Sequence, residues 1–352
     1  MAWHNGLFLS FSHIADMMAE GEPLLYDPPL VESAIYKNEA IRARQPDVIL
    51  LGSSRILGFR EEFCHQHPQQ FYNAGIRTLD ISSMDYYGRM YIDTASPDVL
   101  ILALDQPSFN ADYRRFWPDI ISFTTAHPLV QNYRNIYNLL RASLTMTHAD
   151  RLRLLRREDP VFGVRTIGLN AVRAGIGYRN DGSYQFGIAE SEVDRNRIMR
   201  MFGVPNAVYL PGDMVSDDAL TQLETLLNYA DSNDVDVIGF FPPFAPDTYQ
   251  RYFGSQSDAY RYLSQASTQI MQLFETYNFS FYDMTDPNTL GITDDMMLDS
   301  WHLSERSALL VYLALLEQEN QALGACSDAD DLQQPLLASE HPFQLFRPDQ
   351  VD

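Results

Sequence analysis

Residues 47–55 read Asp47-Val48-Ile49-Leu50-Leu51-Gly52-Ser53-Ser54-Arg55, an apolar run that ends in a small turn with two serines. Consecutive apolar residues without polar alternation indicate a strand buried on both faces, as in a parallel sheet. A glycine after such a strand lets the backbone turn sharply, which would place the serine hydroxyls at the carboxyl edge of the sheet. Open α/β sheets bind their ligands at that edge. The alternative is an ordinary strand–loop–helix turn with a serine cap.

Four more apolar runs follow, and helical patterns separate them. The predicted strands are 47–52, 70–74, 98–104, 235–241 and 279–284, and the predicted helices are 79–95, 217–232, 257–278 and 304–323. Strands that alternate with helices predict one parallel sheet covered on both faces. Ser304 is the expected N-cap of the last helix, and Gly324 its expected stop.

The sequence divides into an N-terminal extension (1–44), an α/β domain (45–324) and an acidic tail (325–352). Within the domain, 107–210 forms an insertion after the third strand, which we expect to be mostly helical (about 128–158 and 190–202). Asn180-Asp181-Gly182 predicts a hairpin turn inside it. At the carboxyl edge of a sheet, such an insertion is expected to form a lid or a substrate platform.

Composition excludes several classes of protein. The 352 residues are 45% hydrophobic, so we expect a globular chain, and the net charge of −22 disfavours nucleic acid as a partner. No run reaches the roughly 18–20 apolar residues that span a bilayer. Cys64 and Cys326 are the two cysteines; they exclude a disulfide framework but allow one bridge. Cys64-His65-Gln66-His67 lacks a second ligand cluster, so we expect no metal or other cofactor.

A second motif lies near residue 300, where the chain reads Asp299-Ser300-Trp301-His302-Leu303-Ser304. A carboxylate three residues before a histidine can hold the imidazole in one tautomer and stabilise its charged form. With Ser54, the pair would supply the nucleophile, base and orienting acid of acyl transfer. The alternative is an aspartate at a helix entry beside a surface histidine.

The order of these motifs resembles the SGNH (GDSL-type) hydrolases, over about 45–106 and 234–323. Ser54 matches the nucleophile, Asp299 and His302 match the last block, and Gly75 matches the glycine whose N–H helps to form the oxyanion hole. The third block usually offers an asparagine; here it reads Leu104-Asp105-Gln106-Pro107. Gln106 is therefore the expected third donor, beside the N–H groups of Ser54 and Gly75, because an ionised Asp105 cannot donate. The resemblance implies a flavodoxin-like three-layer sandwich whose five parallel strands have the order 2-1-3-4-5.

Gly52-Ser53-Ser54-Arg55 together with a large insertion looks more like the cell-envelope branch of that superfamily. The branch includes the D-alanyl transfer protein of teichoic acid assembly and acetyltransferase-like proteins of exopolysaccharide and alginate export. The likeness implies an esterase or O-acyltransferase that acts on ester groups of a cell-envelope or exported polysaccharide through an acyl-Ser54 intermediate. It also implies an extracytoplasmic location, with or without a membrane anchor, and a membrane-bound acyltransferase or export partner. Candidate substrate-binding residues are Ser53, Arg55, Asn73, Asp105 and Trp301.

Two alternatives stay open. The chain could be a non-catalytic SGNH-like binding module in an envelope polymer export or modification complex. The absent third-block asparagine, and Ser53 in place of the usual aspartate before the nucleophile, motivate that hypothesis. It could also be a soluble cytoplasmic protein.

Overall fold

The computed structural model describes residues 9–28, 32–77, 80–113, 164–186, 210–255, 257–339 and 343–346, with the single positions 121, 144, 147–149 and 152. The strands are β1 (Leu24–Tyr26), β2 (Val48–Leu51), β3 (Phe71–Asn73), β4 (Val99–Ala103), β5 (Arg165–Ile167), β6 (Gly177–Tyr178), β7 (Tyr184–Gln185), β8 (Asp236–Phe241) and β9 (Ser280–Asp283). The helices are α1 (Phe11–Ala19), α2 (Ser33–Arg44), α3 (Ile81–Ala95), α4 (Leu169–Ala174), α5 (Asp217–Asp231), α6 (Pro246–Tyr249), α7 (Tyr262–Thr276), α8 (Glu305–Gln318), α9 (Asn320–Leu323) and α10 (Ala329–Ala338).

The main sheet has five strands in the order β3-β2-β4-β8-β9, and every neighbouring pair is parallel. Numbered along the chain within this sheet, the order is 2-1-3-4-5. Each strand lies inside its predicted range, and the predicted α/β fold with a parallel sheet is confirmed.

Helices cover both faces of this sheet. Alternate residues of β2 point to opposite sides, so Ile49 and Leu51 join one hydrophobic cluster while Val48 and Leu50 join another. The first cluster packs against α2, α3, α5 and α7, and the second packs against α8. Because both faces are buried, the strands need continuous apolar runs, and those runs made them visible in the sequence.

A second sheet, β5-β1-β6-β7, joins the N-terminal region to the insertion. Residues 1–44, expected as an extension, supply β1 to this sheet and α2 to the main core. Within the insertion, residues 164–186 contain three strands and the six-residue α4. The expectation that the insertion is mostly helical stays a prediction, because most of 107–210 lies outside the described residues. The helical predictions over 128–158 and 190–202 lie almost wholly outside the described residues. The hairpin prediction is confirmed: β6 and β7 are antiparallel, and Gly182 has a φ of +78° in the turn between them.

The C-terminal region packs behind the main sheet. The side chain of Ser304 caps α8 as predicted. The helix ends at Gln318, before the expected stop at Gly324, and the short α9 (Asn320–Leu323) lies between them. Cys64 and Cys326 form a disulfide, with their Cα atoms 4.7 Å apart. Sequence spacing did not favour this bridge, because 262 residues separate the two. In the described part of the chain, no helix has both the length and the apolarity to cross a bilayer.

Candidate active site

Ser54 stands at the carboxyl end of β2, at the start of a 3₁₀ turn over Ser54–Ile56. The turn is possible because Gly52 has no side chain: a Cβ there would lie 2.9 Å from Ala103 Cβ on the neighbouring strand β4. Ser53 caps the turn, since its Oγ accepts the N–H of Arg55 at 3.3 Å. The backbone geometry of this turn therefore fixes the position of the Ser54 Cβ.

His302 lies in the loop between β9 and α8, and Asp299 organises this loop. One oxygen of Asp299, Oδ1, accepts the N–H groups of Trp301 and His302, each at 2.8 Å. The other oxygen, Oδ2, lies 2.7 Å from His302 Nδ1. A single carboxylate thus fixes both the backbone and the imidazole ring of His302.

The structure brings Ser54, His302 and Asp299 together, although 248 residues separate the first two. Ser54 Oγ lies 2.9 Å from His302 Nε2. With Nδ1–H donated to Asp299, the lone pair of Nε2 faces the serine hydroxyl. This is the arrangement in which a histidine can take the proton of an attacking serine.

The charge on Asp299 suits that arrangement. Burial raises the pKa of this carboxyl, but His302 and the two backbone N–H groups more than offset it, so the pKa lies below its usual value. The side chain is 10% exposed. Asp299 is therefore a carboxylate at neutral pH, and it can stabilise the imidazolium that forms when His302 accepts a proton.

Of the three expected oxyanion donors, the Ser54 N–H has no hydrogen-bond partner among the described residues. The N–H of Gly75 is occupied, because it donates to Asn73 Oδ1 at 2.9 Å. The expectation that Gly75 offers a free donor is therefore wrong for this structure. The side chain of Asn73, two residues earlier, accepts the N–H group that an oxyanion would need.

Gln106 also differs from its expected role. Its Nε2 donates to Pro242 O at 2.9 Å and to Thr285 Oγ1 at 3.1 Å. These two bonds use both amide hydrogens, and the residue is 1% exposed. Gln106 is thus a buried structural amide, and its assignment to the oxyanion hole is wrong.

Arg55 and Asn73 are fully buried, which contradicts their assignment to substrate binding. The amide nitrogen of Asn73 donates to Ile56 O at 2.7 Å and to Phe59 O at 2.9 Å, so it holds the segment that follows Ser54. The guanidinium of Arg55 is likewise bound by protein oxygens on several loops, described below. Neither side chain reaches a space that a substrate could enter.

Ser53 and Asp105 lie at the edge of the sheet beside Ser54. Burial raises the pKa of Asp105, while Arg55, the Ser53 hydroxyl and His302 oppose the rise. Both residues line a cavity of about 10 Å³, room for one water-sized group. The other residues that line it are Asp80, Ile81, Met84, Leu104, Ser108 and Phe109. Ser53 and Asp105 therefore stay candidates for substrate contact.

Trp301 is 8% exposed, and its indole ring packs on Arg55 and Phe244. Most of the Trp301 surface is therefore in contact with other protein atoms. Sequence reasoning did not identify Phe244, although the motif Pro242-Pro243-Phe244 directly after β8 marks a loop at the same edge as Ser54. The described residues contain no cluster of three metal-ligating side chains, and the disulfide removes Cys64 as a ligand.

Comparison with known proteins gives a distant likeness. No family model and no curated protein matches the chain. One similar solved structure, from Bacteroides fragilis, is described as an acylhydrolase; it is 12% identical, with a TM-score of 0.39, over 84% of this chain and 100% of that one. Another is a GDSL-like lipase from Bacteroides thetaiotaomicron, 11% identical, with a TM-score of 0.38, over 83% of this chain and 98% of that one. Similarity at this level leaves the function to be argued from the geometry of the site.

Proposed function

We propose that this protein is a serine-dependent esterase or O-acyltransferase that works through an acyl-Ser54 intermediate. The observation that carries the proposal is the continuous chain from Ser54 Oγ to His302 Nε2 (2.9 Å) and from His302 Nδ1 to Asp299 Oδ2 (2.7 Å). Nucleophile, base and orienting acid are each within hydrogen-bond reach of the next group, which a chance pairing on the surface rarely provides.

The first half-reaction forms the acyl enzyme. Ser54 Oγ attacks the ester carbonyl carbon while its proton moves to His302 Nε2, and Asp299 stabilises the resulting imidazolium. The free N–H of Ser54 donates to the developing oxyanion. The tetrahedral intermediate then breaks its bond to the alcohol oxygen, and His302 returns the proton to that oxygen as the alcohol leaves.

The second half-reaction removes the acyl group. His302 takes a proton from water or from a sugar hydroxyl, and the oxygen so activated attacks the acyl carbon. The bond to Ser54 Oγ breaks and Oγ recovers the proton. Water as the acceptor gives hydrolysis, and a polymer hydroxyl gives transfer.

The substrate part of the proposal is an ester of a cell-envelope or exported polysaccharide. It rests on the likeness of Gly52-Ser53-Ser54-Arg55 and the insertion to the cell-envelope branch. The extracytoplasmic location has separate support in the Cys64–Cys326 disulfide, because such bonds persist in oxidising compartments and are rare in the cytosol. A membrane-bound acyltransferase or an export protein would then be the natural partner.

A second candidate is a binding module that has lost catalysis. It is favoured by the state of the oxyanion donors, since the Gly75 N–H and both amide hydrogens of Gln106 already serve protein acceptors. Among the expected donors in the described residues, the Ser54 N–H then remains free, and one donor would stabilise an oxyanion poorly. In a serine protease, losing one oxyanion-hole donor costs about 10²–10³ in kcat.

A fluorophosphonate probe separates the two candidates. We expect a single adduct by intact mass on the wild-type protein, no adduct on Ser54→Ala, and an adduct on the matched control Ser53→Ala. Among the described residues, Ser54 alone has its hydroxyl against His302 Nε2, so we expect Ser54 to be the activated serine. Wild-type protein that is folded yet unlabelled would contradict the enzyme proposal and favour the binding module.

A further inference from the structure

We propose that Arg55 is a positioning residue that sets the distance between the nucleophile and the base. The inference rests on the proposed function, since it assigns Arg55 to the Ser54–His302 pair. Arg55 directly follows Ser54 in the chain, and it holds the backbone of Trp301, which directly precedes His302. One side chain therefore joins the two loops whose separation determines the distance from Oγ to Nε2.

The guanidinium of Arg55 is bound on every nitrogen. Nε donates to Trp301 O at 3.3 Å, and Nη1 donates to Gln106 Oε1 at 2.6 Å. Nη2 donates to Pro242 O at 2.9 Å and to Pro243 O at 2.8 Å. These acceptors come from the His302 loop, the loop after β4 and the loop after β8. Arg55 thus ties three loops of the carboxyl edge to the turn that carries Ser54.

Two aromatic rings complete the site of Arg55. The guanidinium carbon lies 4.1 Å from the centre of the Trp301 ring and 4.9 Å from that of Phe244. The charge is balanced by Asp105, whose Oδ1 lies 3.6 Å from Nη1. A planar guanidinium with several donors in fixed directions can stack on a ring and bind several loops at once, which a lysine ammonium cannot do. The position therefore demands arginine, although its side chain is 0% exposed and reaches no substrate.

The consequence for catalysis follows because Arg55 is next to Ser54 in the chain and Trp301 is next to His302. If the Trp301 carbonyl or the Ser54 turn moves, the Ser54 Oγ to His302 Nε2 distance changes by a similar amount. A displacement of about 1 Å at a reacting pair can cost about 100-fold in rate. Arg55→Lys should therefore lower kcat by about 100-fold and leave KM within about 3-fold, because the residue acts on geometry and not on substrate affinity.

Arg44→Lys is the matched control. Arg44 is also buried, with a side chain 4% exposed, and it also holds loop carbonyls, at Gln69, Pro68 and Asn180. It ends α2 just before β2, so it lies at the amino edge of the sheet, opposite the site. Arg44→Lys should lower the melting temperature yet leave kcat of the folded protein within about 3-fold.

A double-mutant cycle gives a result that a merely structural role would not produce. With p-nitrophenyl acetate as substrate, Arg55→Lys should cost about 100-fold in wild type but less than about 3-fold in a His302→Ala background, since the positioned base is then absent. Equal losses in both backgrounds would overturn the inference, as would an unchanged kcat.

Fluorophosphonate labelling, compared with kcat, distinguishes failure of this inference from failure of the proposed function. If a fluorophosphonate labels Ser54 but Arg55→Lys keeps full kcat, the positioning role fails and the esterase proposal stands. If wild type is not labelled, the proposed function fails first. Should Arg55→Lys not fold, Phe244→Leu keeps Arg55 and opens one face of its site. That variant should lose at least about 5-fold in kcat at unchanged KM, and an unchanged kcat would overturn the inference.

Discussion

Asp299→Asn is the substitution that tests the proposed mechanism most directly. The amide oxygen of asparagine can still accept the N–H groups of Trp301 and His302, which Asp299 Oδ1 now binds at 2.8 Å. The amide nitrogen, however, would replace Oδ2, which lies 2.7 Å from His302 Nδ1. An N–H donor there demands an unprotonated Nδ1, so the ring proton moves to Nε2. His302 then presents a hydrogen to Ser54 and cannot accept one.

The size of the effect follows from losing the competent tautomer and the charge that stabilises the imidazolium. In serine proteases, the equivalent change costs about 10⁴ in kcat. We expect a loss of about 10³–10⁴-fold here, equal to about 4 to 5.5 kcal/mol of activation free energy. KM should change little, because Asp299 contacts the histidine and the loop backbone.

The assay is the burst of p-nitrophenol from p-nitrophenyl acetate, which reports acylation of Ser54. Asp295→Asn is the control, since it makes the same change at an exposed carboxylate of the same loop, and it should retain wild-type rates. A rate for Asp299→Asn within about 10-fold of wild type would refute the assignment of Asp299 as the orienting acid.

The same variant has a pH signature in stability. The pKa of Asp299 is lowered in the folded protein, so its carboxylate stabilises the fold above the unfolded pKa of about 3.9 and loses that effect as pH falls through the lower folded value. In urea titrations, the difference in unfolding free energy between wild type and Asp299→Asn should be largest near neutral pH and shrink below about pH 4. A difference that stays constant from pH 7 to pH 3 would contradict the link.

Two further predictions concern the scaffold. Burial opposes ionisation of Asp181, but Arg60 and Arg179 outweigh it and lower its pKa to about 2. Asp181→Asn removes one carboxylate from this cluster, while Glu62 and Glu305 still pair with Arg60 and Glu305 still pairs with Arg179. We therefore expect a loss of about 1.5–3 kcal/mol at pH 7, the size of a lost hydrogen bond to a charged group. That difference from wild type should diminish as pH falls from about 4 towards 2, and urea unfolding at several pH values would measure it. Cys64→Ser with Cys326→Ser removes a cross-link between residues 262 apart, and we expect it to lower the free energy of unfolding by about 3–5 kcal/mol. Urea unfolding of the double variant would measure this loss, and midpoints that match wild type would contradict the disulfide.

Much of the fold was predictable because the main sheet is buried on both faces. Strands such as β2 and β4 must be apolar at every position, and this pattern can be recognised in the sequence without any knowledge of tertiary contacts. Of the second sheet, only the turn between β6 and β7 was predicted, from Asn180-Asp181-Gly182. Its four strands have two or three residues each and carry no periodicity. The three-residue β3 of the main sheet was predicted because it lies within the longer run 70–74.

The juxtaposition of Ser54, His302 and Asp299 was predictable for a different reason. Ser54 directly follows a predicted strand, and Asp299 and His302 lie just before a predicted helix. The oxyanion donors were not predictable, because availability depends on competition for each N–H. Asn73 Oδ1 takes the Gly75 N–H, and Pro242 O with Thr285 Oγ1 takes the amide of Gln106. Motif spacing indicates where a donor lies, but not which acceptor already holds it.

The turn after β2 is best understood as a unit whose four residues do different work. Gly52 permits close approach to β4, Ser53 caps the turn, Ser54 faces the base, and Arg55 binds the loops around it. Because Arg55 binds the loops after β4 and β8, a change in either loop is transmitted to the neighbouring Ser54. The residues of this turn share one constraint, which is the position of Ser54 Oγ relative to His302 Nε2.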